Sequence, residues 1–121
     1  MKICEAINRL DSLLQNTYSE QDKVEWLSKL DWMVKRHIID THEGDVPYKG
    51  YDEATDLNTE LLIPAPYDEV YLRWLEAKIH YYNGEYEKYN NAVDMFNTEF
   101  NAYKNLYNRE HMPKGKSFKY F

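Results

Sequence analysis

Seven apolar or aromatic residues, Tyr86, Tyr89, Val93, Phe96, Phe100, Tyr103 and Tyr107, follow one another in steps of 3, 4, 3, 4, 3 and 4. This is a heptad seam, and it predicts one long amphipathic helix from Glu85 to about Asn108. At ~1.5 Å per residue that helix is about 35 Å long. A stripe of this kind is stable only when something covers it, so the rest of the chain must supply a partner surface.

The remaining helical periods are also legible. Ile3, Ala6, Ile7, Leu10, Leu13 and Leu14 form a stripe at i, i+3, i+4 and i+7, predicting a helix from Ile3 to about Gln15. Asn16-Thr17-Tyr18 breaks it. Ser19 then caps a second helix, Glu20 to Ile39, with Asp22 in a variant of the capping box. Trp26, Leu27, Leu30, Met33, Val34, His37 and Ile38 share one face there, which places His37 on or beside the core, bonded to backbone. A third helix is expected from Pro66 or Tyr67, since proline suits the first helical position and Asp68 and Glu69 favour the positive end of the helix dipole. Its stripe runs from Tyr67 through Val70, Tyr71, Trp74, Leu75, Lys78 and Ile79 to Tyr82, and Gly84 ends it.

Between the second and third helices, residues 40–60 have no sustained period and are punctuated by Gly44, Pro47 and Gly50. A connection this long is usually functional or partly disordered; a short helical turn fits near Glu53–Leu57. Asp40, Glu43, Asp45, Asp52, Glu53, Asp56 and Glu60 stand there against Lys49 alone, so this segment carries the acidity behind the net charge of −6. Leu61-Leu62-Ile63 reads as extended chain laid on the core, because Pro64 forces extended geometry before it. The expectation is an all-α, four-helix chain. A helical domain spans residues 1–112 and contains the acidic loop 40–60; a basic, aromatic tail, 113–121, extends from it.

The functional reading is mostly one of missing motifs. The four histidines, His37, His42, His80 and His111, include no i, i+4 pair to share a zinc ion, and there is no CxxC. His42, Glu43, Asp40 and Asp45 lack the offsets of a calcium loop. No nucleophile elbow or phosphate loop is present. The expectation is therefore no enzyme, no cofactor and no metal. Cys4 is the only cysteine, so no intrachain disulfide forms; at the start of an apolar stripe it reads as a small buried hydrophobe. Glu5, Arg9 and Asp11 speak against a signal peptide, and no run approaches the ~20 apolar residues of a membrane span, so no membrane partner is expected. An acidic chain is a poor default binder of nucleic acid.

The aromatic content is the positive signal. Twelve Tyr and three Trp exceed what one small core needs, and such side chains are enriched at protein contacts. Asn83, Asn90, Asn91, Asn97, Asn101, Asn105 and Asn108 make the outer helical faces polar without charge. In the tail, Phe118, Tyr120 and Phe121 alternate with Ser117 and Lys119, the pattern of a docking segment.

Residues 61–110, LLIPAPYDEVYLRWLEAKIHYYNGEYEKYNNAVDMFNTEFNAYKNLYNRE, resemble the small helical head–tail connector (adaptor) proteins of tailed bacteriophages and prophages of Gram-positive bacteria. The phrase PYDEVYLRWLEAKIHYYNGEYEKYNN carries most of the likeness. The resemblance implies a virion component of the neck, made in the host cytoplasm. Such proteins bind the portal as a ring, typically of twelve copies, extend the DNA channel and offer the tail or a stopper protein a docking surface. Portal or neighbour contact would fall on Lys114, Lys116, Phe118, Lys119, Tyr120 and Phe121. Glu43, Asp45, Asp52, Glu53 and Asp56 would line a channel wall or tail-facing rim, where negative charge keeps passing DNA from sticking. The alternative is a small cytoplasmic interaction or regulatory protein that dimerises through the seam of the fourth helix.

Overall fold

The computed structural model describes residues 1–44 and 46–112. Four α-helices account for most of them: α1 (Ile3–Leu13), α2 (Glu20–His37), α3 (Glu69–Tyr82) and α4 (Tyr86–Glu110), with a 3-10 turn at Ile39–Thr41. No strand occurs among the described residues; the nearest thing is an isolated antiparallel bridge between Lys2 and Glu60.

The core is built from the predicted stripes, except at their ends, where Leu13 of α1 and Tyr82 of α3 are exposed. Ile3, Ala6, Ile7 and Leu10 of α1 meet Val24, Leu27, Leu30 and Val34 of α2 and Val70, Leu72, Leu75 and Ile79 of α3. α4 packs mainly against α3, and its Phe96, Tyr103 and Tyr107 join the core. Phe96 meets Trp74 at 5.2 Å between ring centroids, and Tyr103 meets Tyr67 at 5.9 Å. The heptad seam is thus covered from within the chain over its C-terminal half, while Tyr86 at its start is 63% exposed.

The connecting segment is pinned to the start of α1. The first N–H groups of any α-helix lack intrahelical acceptors. Here the Ile3 and Cys4 N–H groups donate to the carbonyls of Thr59 and Leu57, at 3.0 and 2.9 Å, and Leu61 N–H donates to the Met1 carbonyl at 2.9 Å. Glu5 turns back to accept from Lys2 N–H at 3.0 Å. Leu61 and Ile63 are buried, as expected for extended chain on the core. Cys4 is only half-buried rather than a core residue, and its thiol faces Asn58 Oδ1 at 3.8 Å.

Several boundaries differ from the sequence reading, each for a local reason. α2 stops at His37, which is exposed rather than at the core, and the chain continues as the 3-10 turn, after which His42 is buried. His42 Nδ1 lies 2.6 Å from the Ile38 carbonyl and so carries the proton. Pro66 does not open α3: the Ala65–Pro66 peptide is cis, Tyr67 N–H bonds the Pro64 carbonyl at 3.0 Å, and the helix begins at Glu69. Residues 53–57 form turns without a helix. Gly84 is as expected, at φ +76°, where a side chain is strained; Glu85 N–H reaches the His80 carbonyl and Gly84 N–H that of Tyr81, which satisfies the helix end.

Candidate functional site

At the centre of the molecule a carboxylate lies where the apolar stripe of α2 would place a hydrophobe. Asp31 is completely buried. Its Oδ1 accepts from Tyr71 Oη at 2.7 Å, and its Oδ2 accepts from Tyr51 Oη at 2.5 Å and from Leu62 N–H at 3.1 Å. Tyr71 Oη in turn accepts from Ile63 N–H at 2.7 Å. One side chain therefore ties α2, α3, the connecting loop and the extended segment together. Burial raises the carboxyl pKa above its ordinary value, and the bonds from Tyr51, Tyr71 and Leu62 offset only part of that. Burial first, then the Asp31 charge, pushes the Tyr71 and Tyr51 hydroxyls up.

The loop is further held on α2 by Tyr48, which donates to the Ser28 carbonyl at 2.9 Å, and by Tyr51 N–H, which donates to Ser28 Oγ at 2.9 Å. Tyr48 packs edge-on against Trp32 and Tyr51, at 4.8 and 5.1 Å. Held in this way, the loop frames an open cleft of about 540 Å³ whose lining includes Asp52, Asp56 and Glu60. Asp52 accepts from Ala54 N–H and Asp56 from Asn58 N–H, each at 2.9 Å, so both carboxylates fix turns. Glu53 is exposed nearby in sequence. Glu43 is exposed elsewhere, its N–H donating to the Met112 carbonyl at 2.7 Å. Of the five expected rim acids, the structure brings Asp52 and Asp56 to one cleft; Asp45 lies outside the described residues. So do Lys114, Lys116, Phe118, Lys119, Tyr120 and Phe121.

The opposite end of α3 is aromatic. The nitrogen of Met1 lies 3.2 Å from Glu60 and 3.6 Å from Asp68, which sets the acidic segment beside the start of α3. Tyr81 and Tyr82 at its end lie about 20 Å away along the axis, at ~1.5 Å per residue. Tyr81, Tyr82 and Tyr86 are 49, 56 and 63% exposed. Tyr82 stacks on Trp26 at 5.7 Å, and Tyr81 meets Tyr89 at 5.3 Å. Tyr18 Oη bonds Asn83 Oδ1 at 2.7 Å, and His80 Nδ1 lies 3.2 Å from Glu85. The bond to His80, then those from Asn83 and Lys88, bring the Glu85 pKa down to about 2. These contacts hold the α3–α4 turn in one geometry while leaving its rings in solvent.

From this end a groove of about 320 Å³ runs between the helices, lined by Met33, Trp74, Tyr81, Tyr89, Val93 and Phe96. Lys78 lies over the Trp74 ring at 4.8 Å; burial, then Lys29, lowers its pKa. All seven asparagines of α3 and α4 singled out from the sequence are exposed.

The sequence reading missed Asp31 and the buried Lys23, which meets Asp11 at 2.7 Å. Asp31 did leave a signal: it sits four residues after Leu27 and three before Val34, on the apolar stripe. Among the described residues no cluster of three His, Cys, Asp or Glu side chains is arranged to hold a metal ion, and no helix is long and apolar enough to cross a membrane. Family models, curated proteins and solved structures were each compared with the chain, and none of them matches it.

Proposed function

We propose that this chain is an assembly component: a head–tail connector subunit that forms a ring on a phage portal, extends the DNA channel and presents a docking surface to the tail or a stopper protein. The observation that carries the reading is the aromatic end of the α3–α4 hairpin. A closed ring needs a heterologous interface, in which one patch of each copy meets a different patch of the next. Exposed Tyr81, Tyr82 and Tyr86, on a turn held by its cap and by Glu85, offer large rigid contact area at low entropic cost. The groove beside them supplies an apolar centre and the exposed asparagines an uncharged rim.

The acidic residues at the other end of α3, Asp52, Asp56 and Glu60 with Glu53 nearby, suit a channel or tail-facing rim that repels DNA. Portal contact falls on Lys114, Lys116, Phe118, Lys119, Tyr120 and Phe121, the part of the reading that rests on sequence resemblance. A dimer through the seam of α4 is less favoured, because Phe96, Tyr103 and Tyr107 are already buried within the chain, against Trp74, Tyr67 and His42.

The direct test is mass spectrometry of phage particles purified after prophage induction in the source organism. The proposal expects this chain at low copy beside portal and tail proteins. Particles that form without it, while it remains in the cell extract, would sink the proposal. A second measurement addresses the surface itself: Tyr82→Ser with Tyr86→Ser is expected to leave the monomer folded and to abolish its ring on the portal.

A further inference from the structure

A third cavity, of about 290 Å³, lies where the described chain ends. It is lined by Ile39, Leu62, Pro64, Tyr103 and Leu106, together with Tyr107, and exposed Glu110 and His111 also border it. An apolar cavity of about 150 Å³ already admits a benzene ring. We propose that this cleft is the docking site of the chain's own C-terminal segment, with Phe118 or the Tyr120-Phe121 pair seated in it and the lysines around them facing Glu110 and Glu43.

Three observations select this occupant. The first is where the chain leaves the fold. His111 stacks on Tyr107 at 3.7 Å and Met112 is bonded through its carbonyl to Glu43, so the described chain ends at the mouth of the cleft. The second is the sequence that follows. Met112-Pro113-Lys114-Gly115 has proline at the second and glycine at the fourth position, a sequence pattern that favours a type I turn. The third is charge. The segment carries Lys114, Lys116 and Lys119, and Glu43 and Glu110, at the end of the described chain, have no ion pair among the described residues.

Reach favours this cleft over the larger aromatic groove as the intramolecular site. Residues 113–118 extend at most about 20 Å and residues 113–121 about 30 Å. At ~1.5 Å per residue of α4, Phe96 lies about 21 Å and Tyr89 about 31 Å back from Glu110. The tail of the same copy reaches the near cleft without being stretched, and the far groove only through its last residues when close to fully extended.

The inference needs no portal and stands or falls without one. If the connector reading also holds, the portal must draw the segment out of this cleft before using it. The test is limited trypsin cleavage of the full chain after Lys116 and Lys119, in the native sequence and in Leu106→Asp and Glu110→Lys. Cleavage tracks the undocked population, so a mostly docked segment is expected to be cut about tenfold faster in Leu106→Asp. Glu110→Lys is expected to fall between the two, with native protection fading as salt rises. Phe118→Ser is read separately, by NMR of the Leu62 and Leu106 methyl groups in the full chain, and both are expected to shift. Equal cleavage rates in all three chains, or methyl signals indifferent to Phe118→Ser, overturn the proposal. Protection that grows with protein concentration overturns it as well, because the segment would then come from a second copy.

Discussion

Removing one oxygen atom, that of Tyr71, is expected to cost this chain a large share of its stability. Tyr71 is fully buried and its hydroxyl makes two bonds, donating to Asp31 and accepting from Ile63 N–H, whose residue is also fully buried. Tyr71→Phe keeps the ring and opens almost no cavity, so the loss is polar. A hydrogen bond to a charged group contributes about 1.5–3 kcal/mol, and a buried donor left unpaired costs about 1–3 kcal/mol. The sum is about 2.5–6 kcal/mol. A chain of 121 residues holds a total of only about 6–18 kcal/mol. With a urea slope near 2 kcal/mol/M, the midpoint should fall by about 1–3 M at unchanged slope. Amide exchange should localise the effect, with Ile63 and Leu62 losing protection before the core of α2. Tyr86→Phe is the control, since its exposed hydroxyl has no bond among the described residues and its removal should stay within about 0.5 kcal/mol. A loss below about 1 kcal/mol in Tyr71→Phe, or an Ile63 amide that exchanges as before, refutes the assignment of the Asp31 network as the clasp of the fold.

Two further outcomes follow from the same geometry. Gly84→Ala and Gly50→Ala both place a side chain at positive φ, at a cost of about 1–2 kcal/mol each, but they should differ. A Cβ at Gly84 meets open space, whereas one at Gly50 falls 3.0 Å from Trp32 Nε1 and 3.3 Å from Ser28 Oγ, so thermal melting should rank Gly50→Ala as the less stable and Trp32 fluorescence should change only there. For pH, burial raises the Asp31 pKa from 3.8, so the folded chain binds that proton more tightly than the unfolded one. The resulting stability is fully present below 3.8 and is lost as pH rises through the folded value; Asp31→Asn should be less stable than the native chain and should lack this decline, seen as a stability gap that narrows from acid towards neutral pH.

What the sequence disclosed was periodicity. The stripes of α1, α2, α3 and α4 were readable because burial on a helix repeats, and the Gly84 stop was readable because one backbone conformation favours one residue. Apart from residues 61–63, expected as extended chain on the core, the described residues between 42 and 68 were opaque for the opposite reason. The order of this segment comes from bonds to partners far away in sequence, Tyr51 to Asp31, Leu61 to Met1 and Ile63 to Tyr71, and no local pattern announces a distant acceptor. His37 was expected at the core and is exposed, because the stripe stops being covered in the last turn of α2; the buried His42, held by the Ile38 carbonyl beyond that helix, left no periodic signal. The tyrosines divided as their surroundings dictate: Tyr71, Tyr103 and Tyr107 went to the core, Tyr51 to the clasp, and Tyr81, Tyr82 and Tyr86 to solvent.

The pinning of α1 by residues 57–61 also fixes an order of events during synthesis. A ribosome that has released only α1 and α2 has made a helix whose first amides have no acceptor and a buried-to-be carboxylate with no donor. Both deficits are relieved by the segment from Tyr51 to Ile63 and by Tyr71, so the N-terminal pair gains its full set of native partners only once α3 has emerged. Native contacts that span half the chain must form before any layer is stable, which slows folding relative to a bundle of neighbouring hairpins. The α3–α4 hairpin has no such dependence on what comes later, and it is the natural place for structure to begin.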